Sequence, residues 1–156
     1  MKKNKTDEAK QIEKIFAKYP TKRAATLPLL TLAQEKYGYV SQDAVKWVSG
    51  LIGISPMEVY ETASFYTLYH TQPVGKNKMR LCRNISCSLL GSTKIAKKIC
   101  QKLGIKKSGE TSSDNKFHFE LVECLGYCDF APVMQINEKT FSKVNEDQVE
   151  TILNEF

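Results

Sequence analysis

Four cysteines stand in two short pairs, and they are the residues of this chain best suited to binding a metal. Cys82 and Cys87 lie in the segment CRNISC, and Cys124 and Cys128 lie in the segment CLGYC. Four residues separate the first two cysteines, three separate the second two, and 36 residues lie between the pairs. Because a short spacing lets two sulfurs of one turn face the same point, two such turns can supply four thiolate ligands. Four thiolates are enough for a zinc site or for an iron–sulfur cluster.

The segments before the two pairs have the alternating polar and apolar pattern of half-buried strands. We expect one strand at residues 78–82, ending at Cys82, and another at residues 117–124, ending at Cys124. If these strands are neighbours in one sheet, the turns that follow them open at the same edge and the four sulfurs converge. Cys87 is expected just ahead of a helix, where backbone N–H groups stabilise negative charge.

The rest of the pattern predicts a helical first half and a mixed second half. Apolar residues at helical spacing, with capping residues, indicate four short helices at residues 6–18, 24–37, 41–51 and 55–63. Residues 88–103 predict a fifth helix, residues 131–141 a β-hairpin, and residues from Asn145 onward a last helix. We therefore expect a helical region with a linker at residues 1–75 and a domain of class α/β or α+β at residues 76–156.

Three of the predicted helices begin at strong capping signals. Ser41 precedes the third helix, and Ser55, followed three residues later by Glu58, predicts a capping box at the start of the fourth. Asn145 and Gln148 have the same spacing at the start of the last helix.

Composition and charge exclude several classes of function. The chain has 156 residues, of which 42% are hydrophobic and 26% charged, as in a globular protein. Its net charge of +6 is shared equally between the two halves, whereas a nucleic-acid site would need a concentrated basic patch. No apolar run approaches the roughly 20 residues that cross a bilayer, and no apolar segment follows the N-terminal lysines as in a secretory signal. We expect a bacterial cytosolic location, without membrane insertion or nucleic-acid binding.

The number of cysteines also argues against disulfide bonds. Five cysteines without an export signal are not the pattern of a disulfide framework. The fifth, Cys100, shares the apolar spacing of Ala96 and Leu103 in the predicted helix. We therefore expect Cys100 to be a buried structural thiol rather than a further metal ligand.

The cysteine segments and their surroundings resemble a known family. CRNISCSLLGS and VECLGYCDFAPVMQIN closely resemble segments of the small iron–sulfur subunit (the E subunit) of bacterial NADH-quinone oxidoreductase, which is respiratory complex I. The helical segments LPLLTLAQEKYGYVS and SPMEVYETASFY are also similar to that subunit, so the resemblance covers nearly the whole chain. Related subunits occur in NAD-linked hydrogenases and formate dehydrogenases, which are the alternative parent complexes.

This resemblance implies a thioredoxin-like ferredoxin domain with one [2Fe-2S] cluster, held by Cys82, Cys87, Cys124 and Cys128 with one pair on each iron. It also implies docking on a flavoprotein subunit that binds NADH and FMN, with single electrons exchanged between the flavin and the cluster. The implied location is the cytoplasmic face of the inner membrane, as a peripheral part of the larger respiratory complex. Because this chain has no glycine-rich dinucleotide fingerprint, NADH and FMN are expected on the partner, and no NADH oxidation is expected from this chain alone.

The residues by themselves suggest two other functions, and the cysteine spacing argues against the second. A structural zinc module with four thiolates tolerates the same spacing and would serve only as an interaction scaffold. A thiol–disulfide oxidoreductase would need a Cys-x-x-Cys pair, and neither pair has that spacing. Beside the cysteines, Arg83 is a candidate for raising the reduction potential of a cluster, and Pro132 is a candidate for a cis peptide bond.

Overall fold

The computed structural model describes residues 5–156, with side chains from Asp7 onward; residues 1–4, part of the lysine-rich start, lie outside this range. The chain divides into two compact units, one ending at Pro73 and the other beginning at Val74. The first unit is helical and the second contains a mixed sheet with helices. The predicted fold class, a short helical bundle followed by an α+β domain, is therefore confirmed. Among the described residues, no helix has the length and apolar character needed to cross a membrane.

Four helices make up most of the first unit, and their bounds are close to those predicted. They are α1 (Lys5–Phe16), α2 (Thr26–Tyr37), α3 (Gln42–Ile52) and α4 (Pro56–Phe65). A short 3-10 turn at Arg23–Ala25 takes the place of the first residues predicted for α2. The helices share a core whose innermost members include Leu29, Leu30, Val48 and Val59.

Hydrogen bonds at the helix starts confirm two predicted caps. Ser41 Oγ accepts from the N–H of Ala44 at 3.1 Å, and Ser55 Oγ accepts from the N–H of Glu58 at 3.2 Å. The Glu58 carboxylate, predicted to reach back to its own cap, instead lies 3.4 Å from the guanidinium of Arg23. An arginine within reach competes for the carboxylate because a charged donor binds it more strongly than a backbone amide does.

The second unit is built on a five-stranded sheet with the order β2-β3-β1-β4-β5. The strands are β1 (Asn77–Cys82), β2 (Glu110–Thr111), β3 (Phe117–Val122), β4 (Met134–Ile136) and β5 (Lys139–Phe141). The central strand β1 runs parallel to β3 and antiparallel to β4. The two strands that precede the cysteine pairs are therefore neighbours, as the convergence of the four sulfurs requires.

The structure corrects several element boundaries near the cysteines. The helix predicted at residues 88–103 is divided into α5 (Ile85–Leu89) and α6 (Ser92–Leu103), because Gly91 between them has a left-handed φ of +100°. Cys87 therefore lies inside a short helix rather than just ahead of one. The second strand ends at Val122, so Cys124 follows it in a loop instead of ending it.

Two further predictions also need correction, one at the hairpin and one between α6 and β3. The strand expected to begin at residue 131 begins at Met134, after a 3-10 turn at Cys128–Phe130 and a cis peptide bond between Ala131 and Pro132. The short strand β2 lies in a stretch for which the sequence pattern predicts no strand; its two residues pair with β3. Sheet pairing over so short a stretch depends on a neighbouring strand, which local sequence pattern does not report.

One face of the sheet is covered by α6 and by the last helix, α7 (Gln148–Asn154). The register places Met79 opposite both Phe119 and Ile136, so these side chains share that face. Ile99 of α6 and Val149 of α7 are fully buried against it. Asn145 and Gln148 exchange the two predicted hydrogen bonds, at 3.1 and 3.0 Å, but α7 begins only at Gln148, with Asp147 at its N-cap position.

Candidate metal centre

Both cysteine loops leave the same edge of the sheet. Cys82, the last residue of β1, stands opposite Val122, the last residue of β3, in a parallel pairing. The next amide along, the N–H of Arg83, donates to the Val122 carbonyl at 2.9 Å. Because parallel strands end on the same side, the loops that carry the four cysteines begin next to each other.

The first pair of cysteines is buried. Cys82 and Cys87 are 2% and 3% exposed and form a small apolar cluster with Ala131 and Val133. The N–H of Cys82 donates to the Val133 carbonyl at 3.1 Å, which fixes the end of β1 against the segment that leads into β4. The short helix α5 holds Cys87 in place, and Asn84 caps that helix by accepting from the N–H of Ile85 at 2.8 Å.

The second pair is exposed, and its sulfurs lie close together. Cys124 Sγ and Cys128 Sγ are 3.5 Å apart, and both side chains are open to solvent. The N–H of Gly126 points to Cys124 Sγ at 3.4 Å. Gly126 has a φ of +85°, a conformation that L side chains rarely adopt, so a glycine is needed for the turn that presents this amide.

Burial and hydrogen bonding shift the pKa values of three of these thiols. Burial raises the pKa of Cys87 to about 11, and a hydrogen bond with Cys82 acts in the same direction. The Gly126 amide lowers the pKa of Cys124, while the hydrogen bond with Cys124 raises the pKa of Cys128. Leu125, which lies between Cys124 and Cys128 in sequence, packs against the apolar cluster that contains Cys82 and Cys87, so the two cysteine segments are in contact.

The donor set fits a metal centre with thiolate ligands. Two sulfurs bound at about 2.3 Å to one tetrahedral metal would lie about 3.8 Å apart, close to the separation of Cys124 and Cys128. The five cysteines are all free thiols. Four soft thiolates suit zinc or an iron–sulfur cluster, and metal binding overcomes a raised thiol pKa by replacing the proton.

Cys100 stands apart from these four thiols. It is partly buried on α6 and packs with the core between the sheet and the helices, and burial raises the pKa of its thiol. This agrees with the structural role expected from its spacing, although the side chain is less deeply buried than predicted.

The structure adds one candidate functional residue, Glu123, that the sequence analysis missed. Arg83 directly follows the ligand candidate Cys82, and its guanidinium contacts the carboxylate of Glu123, which directly precedes Cys124. Arg83 is therefore paired rather than simply solvated. The signal that could have identified Glu123 is its place beside a cysteine at the end of the neighbouring strand.

Large apolar side chains are exposed on the elements that carry the cysteines. Two lie on α5, one follows it, and two flank Cys128: Ile85, Leu89, Leu90, Tyr127 and Phe130. Leu89 is 81% exposed and Ile85 is 71% exposed. Exposed apolar groups gathered around a site are typical of a surface that binds another protein.

Comparisons with known proteins identify the family of this chain. The family model of the thioredoxin-like [2Fe-2S] ferredoxins matches residues 12–156. The E 2 subunit of the NADH-quinone oxidoreductase of Rhizobium meliloti (strain 1021) is 38% identical over 146 residues, which cover 94% of this chain and 86% of that protein. The E subunit of the NADH-quinone oxidoreductase of Rickettsia bellii (strain RML369-C) is 41% identical over 144 residues, covering 90% and 86%.

A solved structure shows the same fold. A chain of an NAD+-reducing [NiFe]-hydrogenase in the air-oxidized state aligns with a TM-score of 0.71 at 19% identity. The alignment covers 81% of this chain but 22% of the hydrogenase chain, so the present chain corresponds to part of that longer one. With a family model over residues 12–156 and relatives of similar length near 40% identity, this chain belongs to the thioredoxin-like [2Fe-2S] ferredoxin family.

Proposed function

We propose that this chain is the electron-transfer E subunit of an NADH-quinone oxidoreductase. The observation that carries the proposal is the gathering of four thiols from two loops at one sheet edge, in a chain of this family. Relatives named as the E subunit match it over nine-tenths or more of its length, which supports the same role. The reaction class is oxidation of NADH by the assembled complex, to which this chain contributes one electron-transfer site.

The four thiols would hold a [2Fe-2S] cluster, with Cys82 and Cys87 on one iron and Cys124 and Cys128 on the other. When bound, such a cluster supplies one-electron oxidation and reduction. The chain's own residues set the surroundings: Val133 and its neighbours exclude water from the buried pair. On the other side, the Gly126 amide stabilises negative charge on the Cys124 sulfur.

The partner we propose is the flavoprotein subunit that binds NADH and FMN. The exposed apolar side chains around the cysteines provide a surface for a protein partner, and they leave the Cys124–Cys128 pair close to it. Electron transfer needs this proximity, because the flavin of the partner must approach the site. The complex would place the chain on the cytoplasmic face of the inner membrane as a peripheral subunit.

We assign the electron-transfer role to the domain expected at residues 76–156, since all four thiols lie there. The helical region expected at residues 1–75 would then serve assembly rather than redox chemistry. A diaphorase subunit of an NAD-linked hydrogenase or formate dehydrogenase is the alternative parent assignment. Identifying the chains that co-purify with this protein distinguishes these complexes.

Anaerobic purification of the full chain tests the proposed cofactor. We expect a red-brown protein that contains two irons and two acid-labile sulfides per chain, as a [2Fe-2S] cluster requires. A colourless protein with stoichiometric zinc would contradict this proposal and would support the structural zinc module instead.

A further inference from the structure

The contact between Arg83 and Glu123 joins the two cysteine loops outside the cysteines themselves. Arg83 Nε and Nη2 lie 2.9 and 2.6 Å from the same carboxylate oxygen, Glu123 Oε1. A guanidinium that donates twice to one carboxylate is more restricted in orientation than a pair with a single hydrogen bond. The contact therefore defines a geometry and not only a proximity of charges.

The backbone places this pair between the ligand candidates. Arg83 comes directly after Cys82, and Glu123 directly before Cys124, so each partner is one peptide bond from a proposed ligand. The N–H of Arg83 also donates to the Val122 carbonyl at 2.9 Å, so backbone and side chain connect the same two loops. The exposed loop of Cys124 is in this way tied to the strand end that carries the buried pair.

The charges of the pair matter because the proposed site is itself charged. Four thiolates around a cluster carry net negative charge, and an added electron increases it; nearby charge and solvent exposure are among the factors that set the reduction potential. Arg83 alone would favour the added electron, and Glu123 alone would oppose it. Because the two groups are in contact at 2.6 Å, each charge offsets the effect of the other on the site.

We infer that Arg83 and Glu123 form a charge-balanced clamp, an ion pair that holds the two cysteine loops together and whose opposite charges, taken together, have little net effect on the reduction potential of the site. The inference rests on the proposed function, since it assigns a role toward the bound cluster. Both residues act through their neighbours and are positioning residues. The side chains are 60% and 69% exposed, so this ion pair contributes little free energy and salt weakens it.

Release of the cluster to an iron chelator tests the positioning role in the full, cluster-loaded chain. We expect Arg83→Gln and Glu123→Gln each to speed release about two- to fivefold, the range set by an exposed ion pair. The charge-swapped variant, Arg83→Glu with Glu123→Arg, should return release toward the wild-type rate. Added NaCl should speed release from the wild type but not from the Arg83→Gln/Glu123→Gln double variant.

Reduction potentials, measured by titration followed by electron paramagnetic resonance, test the charge balance. Arg83→Gln leaves the carboxylate unpaired and should lower the potential, whereas Glu123→Gln leaves the guanidinium unpaired and should raise it. The double variant should return close to the wild-type potential. Glu150→Gln is the matched control, because it breaks a surface ion pair of 2.8 Å with Lys102 that joins α6 to α7 rather than the cysteine loops.

Each outcome decides the inference. Potentials that shift in the same direction in the two single variants, or that do not shift at all, would overturn the charge balance. Release at the wild-type rate from both single variants, or a swapped pair that fails to restore slow release, would overturn the clamp. A wild-type chain without iron and sulfide would instead overturn the proposed function, and the clamp with it.

Discussion

The four cysteines of the candidate centre are chemically unequal. Cys82 and Cys87 are buried among apolar groups, while Cys124 and Cys128 are exposed and one of them accepts a hydrogen bond from a backbone amide. Burial disfavours a charged thiolate, and an amide favours it. The exposed pair is therefore the side of the site on which charge is best tolerated and on which another protein can approach.

Substitution of single cysteines separates ligands from bystanders. We expect Cys124→Ser to lose the cluster or to bind it unstably, because a hydroxyl is a poor replacement for a thiolate. Cys100→Ser should retain iron and sulfide at wild-type levels, since its side chain packs in a different part of the core. Metal analysis and visible absorption of the two purified variants give the result, and full loading of Cys124→Ser would contradict the ligand assignment.

Alkylation of the cluster-free chain near neutral pH should reflect the pKa differences. The thiolate is the reactive form, so a lowered pKa and open access should make Cys124 react with iodoacetamide before the other thiols. Cys87, buried and with a pKa of about 11, should react slowest of the four ligand candidates. Peptide mass spectrometry over time measures the order, and faster labelling of Cys87 than of Cys124 would disprove this description.

At the scale of the elements, the site depends on the close pairing of β1 with β3. The chain enters β1 through Gly75, which is buried beside the start of β3. A Cβ placed on Gly75 would lie 2.6 Å from the carbonyl carbon of Phe117, and backbone cannot move aside as a flexible side chain can. This glycine lets the chain pass close to the start of β3, where the pairing of β1 with β3 begins.

Replacing this glycine tests the strand contact. Gly75→Ala should lower the free energy of unfolding by about 1–3 kcal/mol, as overpacking does. Gly50→Ala is the control: Gly50 lies in α3 with no atom within 4 Å of the added Cβ, and alanine there should stabilise by about 0.5–1 kcal/mol. Denaturant titrations compare the two, and equal effects would show that the strand approach does not need the glycine.

At the scale of the whole molecule, the proposed division of labour predicts what the chain cannot do alone. The isolated, cluster-loaded protein should not oxidise NADH, because the flavin and nicotinamide sites are assigned to the partner. Activity with an artificial electron acceptor should appear when the flavoprotein subunit is added. NADH turnover by the isolated chain would refute the assignment. Measuring the Cys124→Ser variant as well would show whether that turnover depends on the cluster.

The exposed apolar surface should carry part of the binding to that partner. Leu89→Asp places a charge on a side chain that is 81% exposed, so it should weaken binding to the flavoprotein without unfolding the chain. Leu89→Met keeps the surface apolar and should bind as the wild type does. Calorimetry with the purified flavoprotein measures both variants, and equal affinity would remove this residue from the interface.

Much of the architecture follows from local pattern. Alternation predicts the strands before the cysteines, and Ser41 and Ser55 mark helix starts that the structure confirms, because caps and periodicity are properties of neighbouring residues. The division of the helix at Gly91 and the extent of β2 were not predicted. The first depends on a backbone angle and the second on a strand distant in sequence.

The order of the residues establishes which thiols are available, how they are spaced in pairs, and the family resemblance that implies their cofactor. The folded chain is needed to show that one pair is buried and the other exposed, and that Arg83 contacts Glu123, 40 positions further along the chain. Spacing is set by covalent bonds and can be read directly. Exposure and long-range contacts arise when the parallel pairing of β1 and β3 brings distant segments together, which no local pattern specifies.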